Sequence, residues 1–197
     1  RANMPASVIE AEGPPEAARL ERARQRWSEA RELLTAFQEE LDWEIYARYG
    51  LIAEDGLLAS PDSVPPVRGG ERAFEIVLAR RVARGEVDTS WFVRHGITPI
   101  TDVPAHWPAE YRQVVRRRIE VIENSTFMGL LEQPEFKRRW SAADWEKEQR
   151  ASIRNWLLDQ CEDPDLWFER DEGGRAVPRP RTVEELYDRL RAHDGVE

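Results

Sequence analysis

The chain has 197 residues, of which 41% are hydrophobic and 34% are charged, and its formal net charge is -9. This length and apolar content exclude a wholly disordered chain and predict one substantial core, or one core with an extended arm. The negative charge argues against nucleic-acid binding over the whole surface, because affinity for DNA comes largely from neutralising phosphates.

The single cysteine, Cys161, excludes an internal disulfide and fits a reducing cytoplasm. No apolar run approaches the roughly 20 residues that a membrane helix needs, and the N-terminus lacks the pattern of a secretory signal. We therefore expect a cytoplasmic protein that does not associate with membranes. The sequence begins at Arg1 and not at a methionine, which suggests a piece of a longer protein.

Residues 1–13 show no periodicity and are predicted to be a flexible lead-in. Residues 14–49 are predicted to form one long heptad-patterned helix, whose apolar stripe consists of Leu20, Ala23, Trp27, Ala30, Leu34, Phe37 and Leu41. The stripe is expected to pack within its own domain, or else against another chain as a coiled coil. Acidic residues elsewhere on this helix are predicted to face solvent: Glu39, Glu40, Asp42 and Glu44.

Residues 50–177 are predicted to form a helical accessory domain with long ordered loops. A second helix over about residues 71–84 should end at Gly85, Pro108 should open a third helix, and Ser141 should cap a fourth.

Residues 178–197 are predicted to be a stiff linker and a C-terminal helix that Thr182 caps. Alternation of β-branched residues is almost absent. The expected fold class is therefore mainly α, with a long N-terminal amphipathic helix and a helical domain.

Two histidines, His95 and His106, lie in a loop rich in proline and tryptophan. They lack the i, i+4 spacing of a zinc-binding helix and have no cysteines nearby, so we interpret them as loop-fixing hydrogen-bond donors. Glu135 and Lys137 match the end of a metal-dependent nuclease motif only weakly, because no strand context supports it. No phosphate-binding loop or nucleophile elbow occurs, so no catalytic, cofactor-binding or metal-binding residue is assigned.

Basic residues form two clusters that are candidates for contact with the DNA backbone: Arg112, Arg116, Arg117, Arg118, Lys137, Arg138 and Arg139. Three consecutive arginines spread over about 200° of helix arc, so they cannot all face one partner. Some are expected to pair with Glu120 or Glu123. Two interpretations stay open, a solvated ion-paired face and a patch that contacts phosphates.

Five stretches resemble the region downstream of the catalytic domain in large bacterial adenine-specific DNA methyltransferases, above all the PglX type of BREX phage-defence systems. They are ELDWEIYARYGL (40–51), GERAFEIVLARR (70–81), WFVRHGITPITDVPAHWPAEYR (91–112), LLEQPEFKRRW (130–140) and NWLLDQ (155–160). The resemblance covers about residues 35–190, which is most of the chain.

The resemblance implies a complete enzyme that binds S-adenosylmethionine and methylates adenine N6 in a specific double-stranded DNA sequence. Such enzymes use an Asn/Asp-Pro-Pro-aromatic tetrad and a Gly-rich cofactor loop, and this sequence has neither. Its two Pro-Pro pairs are followed by Glu16 and Val67. We therefore expect a non-catalytic accessory or spacer segment that holds no cofactor itself and that contacts DNA backbone. The alternative is a protein-interaction module that docks another defence-system subunit.

Overall fold

The computed structural model describes residues 3–52, 56–138 and 144–192. Within these ranges the fold is mainly α, as predicted. The α-helices are α1 (Pro5–Glu12), α2 (Ala17–Arg48), α3 (Ala73–Ala83), α4 (Trp91–His95), α5 (Ala109–Asn124), α6 (Thr126–Leu131), α7 (Trp145–Cys161), α8 (Pro164–Trp167) and α9 (Val183–Ala192). Two short 3-10 helices cover Pro61–Ser63 and Pro134–Phe136. The strands β1 (Phe168–Arg170) and β2 (Ala176–Pro178) form an antiparallel pair.

The chain divides into two compact units that differ from the predicted boundaries. The first, unit 1, comprises residues 1–27 and 143–197, and the second, unit 2, comprises residues 28–142. Helix α2 contributes residues to both units. Unit 1 therefore combines the two ends of the sequence, which local patterns cannot indicate because the contacts that join them are long-range.

The core of unit 1 corrects the expectation of a flexible lead-in. Helix α1 begins with Pro5 in its first turn and ends at Gly13, whose φ of 93° favours glycine. Its apolar residues are buried in one cluster with side chains from α2 and α7; the buried members are Val8, Ile9, Leu20, Ala23 and Trp145. The ring centroids of Trp27 and Trp145 lie 5.6 Å apart in the same cluster.

The predicted C-terminal helix is confirmed as α9, and its cap is a capping box. Thr182 Oγ1 accepts a hydrogen bond from the backbone N–H of Glu185, and the Glu185 carboxylate accepts one from the N–H of Thr182. The β1–β2 hairpin before this helix was not predicted. Each strand has only three residues, which is too short for a period-2 pattern.

The core of unit 2 is built mainly from α2, α3 and α5. Residues 73–79 of α3 are all buried, and α5 packs its Tyr111, Val115 and Ile119 face into the same cluster as Trp43. The predicted helices over about 71–84 and from Pro108 are confirmed as α3 and α5. Across the described ranges, no helix combines the length and apolar character that crossing a membrane requires.

Candidate interaction surfaces

The acidic face of α2, which was predicted to be solvated, is largely buried in unit 2. Glu39 is 2% exposed and accepts hydrogen bonds from Trp43 Nε1 at 3.3 Å and from the Ala73 N–H at 3.4 Å. The side chains of Glu40 and Asp42 are only 17% and 21% exposed. A buried carboxylate costs free energy unless it is paired, so the basic partners of these residues decide how the helix lies.

Arg118 is the partner of Glu40, and its position corrects the prediction that it contacts DNA. Its side chain has no exposed area, and its guanidinium donates to both Glu40 carboxylate oxygens, at 2.7 and 2.6 Å. Arg118 Nε also donates to the Leu57 carbonyl at 2.9 Å, and Tyr111 Oη donates to Glu40 at 2.9 Å. All of these contacts lie inside unit 2, so Arg118 is not placed to contact a phosphate.

Lys137, the second buried cation among the basic candidates, is likewise not placed to contact DNA. Its Nζ forms an ion pair with Glu132 and donates to Asp42 at 3.0 Å and to Tyr46 Oη at 3.1 Å. Tyr46 Oη in turn donates to Glu132 at 2.8 Å. The lysine thereby joins helix α2 to the segment that follows α6.

Glu132 is a buried acid whose pKa is raised. Burial raises its pKa to about 7, Lys137 counteracts that rise, and the negative charge of Glu39 adds to it. One of its carboxylate oxygens, Oε2, is buried and has no hydrogen-bond partner among the residues that the structure describes. Burial by itself would lower the pKa of the Lys137 ammonium, but Glu132 and Glu39 raise that pKa above its usual value. Lys137 therefore stays a cation, and Glu132 is the group that takes up a proton near neutral pH.

The start of α3 holds a further buried ion pair. Arg72 and Glu75 are 3% and 0% exposed in their side chains, and Arg72 donates through Nη2 at 2.8 Å. The same carboxylate accepts hydrogen bonds from the Gly70 N–H at 2.8 Å and from Trp91 Nε1 at 3.1 Å. This pair fixes the loop before α3 and the start of α4.

His95 lies where a hydrogen-bond donor that fixes the loop is expected, whereas His106 is exposed. His95 is 9% exposed and its Nδ1 lies 2.7 Å from the Trp91 carbonyl, to which it donates. His106 lies edge-on to Trp107, with ring centroids 6.3 Å apart. Within the described ranges, no group of three or more His, Cys, Asp or Glu residues is placed to hold a metal ion.

The remaining basic candidates lie at the surface or close to it. Arg112 is half-buried, whereas Arg116, Arg117 and Arg138 are exposed. Arg139 lies outside the described residues. Arg116 lines a cleft together with Asp102, Glu120 and Glu123 among other residues, so its surroundings contain three carboxylates.

In unit 2 the predicted apolar stripe of α2 is exposed and not packed within the domain. Leu34, Phe37, Leu41 and Ile45 are 52%, 55%, 51% and 40% exposed, and their spacing of three or four residues places them on one side of the helix. We call these four residues the apolar face of α2. Beside it, Phe37 and Leu41 line a groove of about 310 Å³, whose other wall is the loop residues Leu58, Ala59, Pro61 and Val64.

Two sequence signals indicate that α2 buries its carboxylate side against Arg118. Ala36, Glu39, Trp43 and Tyr46 follow helical spacing and form a second stripe, on the opposite side of α2 from the apolar face. Arg118 occupies a core position of α5, since it continues the buried series of Tyr111 and Val115. A charged residue at a core position predicts a buried partner of opposite charge.

Known proteins that are similar to this chain indicate its family. The chain belongs to the family described as Domain of unknown function (DUF7008), which matches residues 34–197. It is also 47% identical over 192 residues to the adenine-specific methyltransferase PglX of Streptomyces coelicolor. That similarity covers 96% of this chain and 16% of the methyltransferase, so the chain corresponds to a segment of this relative. No solved structure matches the chain.

Proposed function

We propose that this chain is a non-catalytic accessory segment of an adenine-specific DNA methyltransferase of the PglX type. The observation that carries the proposal is the 47% identity over nearly the whole chain to one segment of such an enzyme. The missing Pro-Pro-aromatic tetrad and Gly-rich loop support a role outside the methyl-transfer centre.

The described side chains support a structural role for the buried charges. The carboxylates in the interior of unit 2 form ion pairs with Arg72, Arg118 and Lys137, or accept hydrogen bonds from backbone N–H groups. The weak nuclease hypothesis gains no support, because Lys137 is buried against other acids while Glu135 is exposed. The charges that could have formed a reaction centre instead hold helices together.

In this proposal the rest of the complete enzyme binds S-adenosylmethionine and double-stranded DNA and transfers the methyl group to adenine N6. The host process is phage defence by a BREX system in the bacterial cytoplasm. The segment described here supports the enzyme's assembly and its hold on DNA.

Calorimetric titration with S-adenosylmethionine tests the proposal. The isolated chain should give no binding heat, whereas a complete methyltransferase that contains it should bind the cofactor saturably and methylate adenine. Micromolar binding by the isolated chain would overturn the non-catalytic assignment, and a complete protein without adenine methylation would overturn the methyltransferase assignment.

The basic residues that lie at the surface or close to it are candidates for holding DNA. We propose that Arg112, Arg116, Arg117 and Arg138 contribute to contact with the DNA backbone, without reading bases, because a charged helix surface supplies no fixed bidentate geometry. Arg118 and Lys137 take no part in this contact, since they are buried.

This role is tested in the complete enzyme with Arg116→Ala and Arg138→Ala combined. Affinity should fall alike for the recognised and for unrelated duplexes, and the slope of log affinity against log salt should shrink by about one unit per lost contact. The control is Arg150→Ala, which removes an arginine that is 74% exposed in unit 1. Unchanged affinity and salt slope in the double variant would eliminate the DNA contact.

The protein-interaction alternative is favoured by a different observation, the apolar face of α2. Exposed apolar side chains in a contiguous row mark contact sites more often than isolated ones do. A docking role and a DNA-contacting role use different residues of unit 2, so they are compatible within one enzyme.

A further inference from the structure

The apolar face of α2 is large enough to require an explanation and too small for a stable dimer. Each of its four side chains exposes about half of its surface. Side chains of this size together present on the order of 400 Å², which is within the range of functional patches on monomers. A standard interface between separate proteins buries about 800 Å² on each partner.

The shape of the surface indicates a helix as its occupant. Leu34 to Ile45 spans three turns, or about 16 Å along the axis, and the groove beside it is lined by apolar side chains on both walls. A row of anchors at helical spacing next to a groove is the geometry in which one amphipathic helix receives another.

The charge at the edge of the groove adds a requirement for the partner. Glu40 and Glu44 both line it, but Glu40 is paired with the buried Arg118. Glu44 is the accessible acid: it is 44% exposed, and its ion pair is with Arg48, which is 75% exposed and therefore weakly held. A helix that carries lysine or arginine beside its apolar stripe would complement this edge.

We propose that the apolar face of α2 is the seat of an amphipathic helix, with basic flanking residues, from another part of the same methyltransferase polypeptide. The inference rests on the proposed function, since it requires the chain to be one segment of a longer enzyme. The apolar face is smaller than a standard interface between separate proteins, which favours a partner in the same polypeptide. A helix in the same polypeptide is present at a high effective concentration and needs less interface than a separate molecule.

The experiment measures access to the face by thiol labelling. Leu41→Cys is introduced on a Cys161→Ser background, both in the isolated 197-residue chain and in the complete enzyme, and modification of position 41 by a maleimide is followed by mass spectrometry. The control is Val93→Cys, which replaces a residue of α4 that is 89% exposed. Far-UV circular dichroism and thermal unfolding establish that each variant is folded.

Position 41 should react at least tenfold more slowly in the complete enzyme than in the isolated chain, while position 93 reacts alike in both. Equal rates at position 41 would overturn the proposal. Protection in the isolated chain that grows with its concentration would also overturn it, and would assign the face to a second copy.

The outcome is separable from that of the proposed function. Cofactor binding and adenine methylation by the complete enzyme report on the methyltransferase assignment, whichever rate position 41 shows. An active enzyme with an unprotected face would reject the docking site alone.

Discussion

The two halves of α2 bury opposite sides of what the sequence presents as one amphipathic helix. In unit 1 the predicted stripe is buried, with Leu20 2% and Ala23 0% exposed. In unit 2 the same stripe is exposed at Leu34 and Leu41, and the carboxylate side is buried in its place. A heptad pattern therefore predicts that a helix forms, but the groups on neighbouring elements decide which side they cover.

The largest effect is expected from a variant that removes the partner of the buried carboxylate side of α2. Arg118→Met leaves Glu40 buried without its partner, which should lower the free energy of unfolding by about 4 kcal/mol. Urea denaturation measures it. The exposed Arg116→Met is the matched control and should change stability by less than about 0.5 kcal/mol. Combining Arg118→Met with Glu40→Met should recover part of the loss, and equal effects of the two arginine variants would contradict the buried pair.

The buried part of the apolar stripe, in unit 1, is tested with Leu20→Ala. This side chain lies in the core of unit 1, so its truncation removes packed methyl groups and leaves a cavity, with an expected loss of about 3 kcal/mol. Urea denaturation measures this loss, and near-ultraviolet circular dichroism, to which Trp27 and Trp145 contribute, follows the unfolding. A loss below about 1 kcal/mol would place Leu20 outside the core.

A pH series sharpens the description of the buried charges. The pKa of Glu132 is raised from 4.5 to about 7 in the folded protein, so its stabilising contribution is complete below the unfolded pKa and is lost as the pH rises through about 7. Relative to Glu132→Gln, the wild-type protein should therefore become less stable between pH 5 and pH 8. Denaturation at both pH values measures this, with the exposed Glu120→Gln as control. A gap that stays constant or widens in favour of the wild type would contradict the raised pKa.

The smallest effect is expected at the apolar face itself. Leu34→Ala removes a side chain that is already 52% exposed, so the isolated chain should lose less than about 1 kcal/mol. Comparison with Leu20→Ala in the same urea titration isolates the difference between the two halves of one helix. A loss as large as that of Leu20→Ala would show that position 34 is packed.

The sequence predicted helices well where the signals are local. Capping at Thr182 and the opening of α5 at Pro108 depend on residues within one turn, and both agree with the structure. Helix α1 escaped prediction because its eight residues are too few to show a period, and its burial depends on Trp145, far away in the sequence.

The basic candidates show where local reasoning failed. Arg117 and Arg118 are neighbours in the sequence, yet one is exposed and the other has no exposed area. Helical spacing places Arg118, and not Arg117, in series with the buried Tyr111 and Val115, but it does not identify Glu40 as the partner. These partners are 78 positions apart in the sequence, which is beyond what a local pattern can relate.

The buried ion pairs also determine when unit 2 can form during synthesis. Glu40 needs Arg118, and Asp42 needs Lys137, which follows it by 95 residues. At about 5 to 20 residues per second, a ribosome takes about 5 to 20 s to make that stretch. Throughout this interval the acidic side of α2 stays hydrated while its apolar side is also exposed. We expect the acidic side of α2 to become buried only after Lys137 has left the exit tunnel.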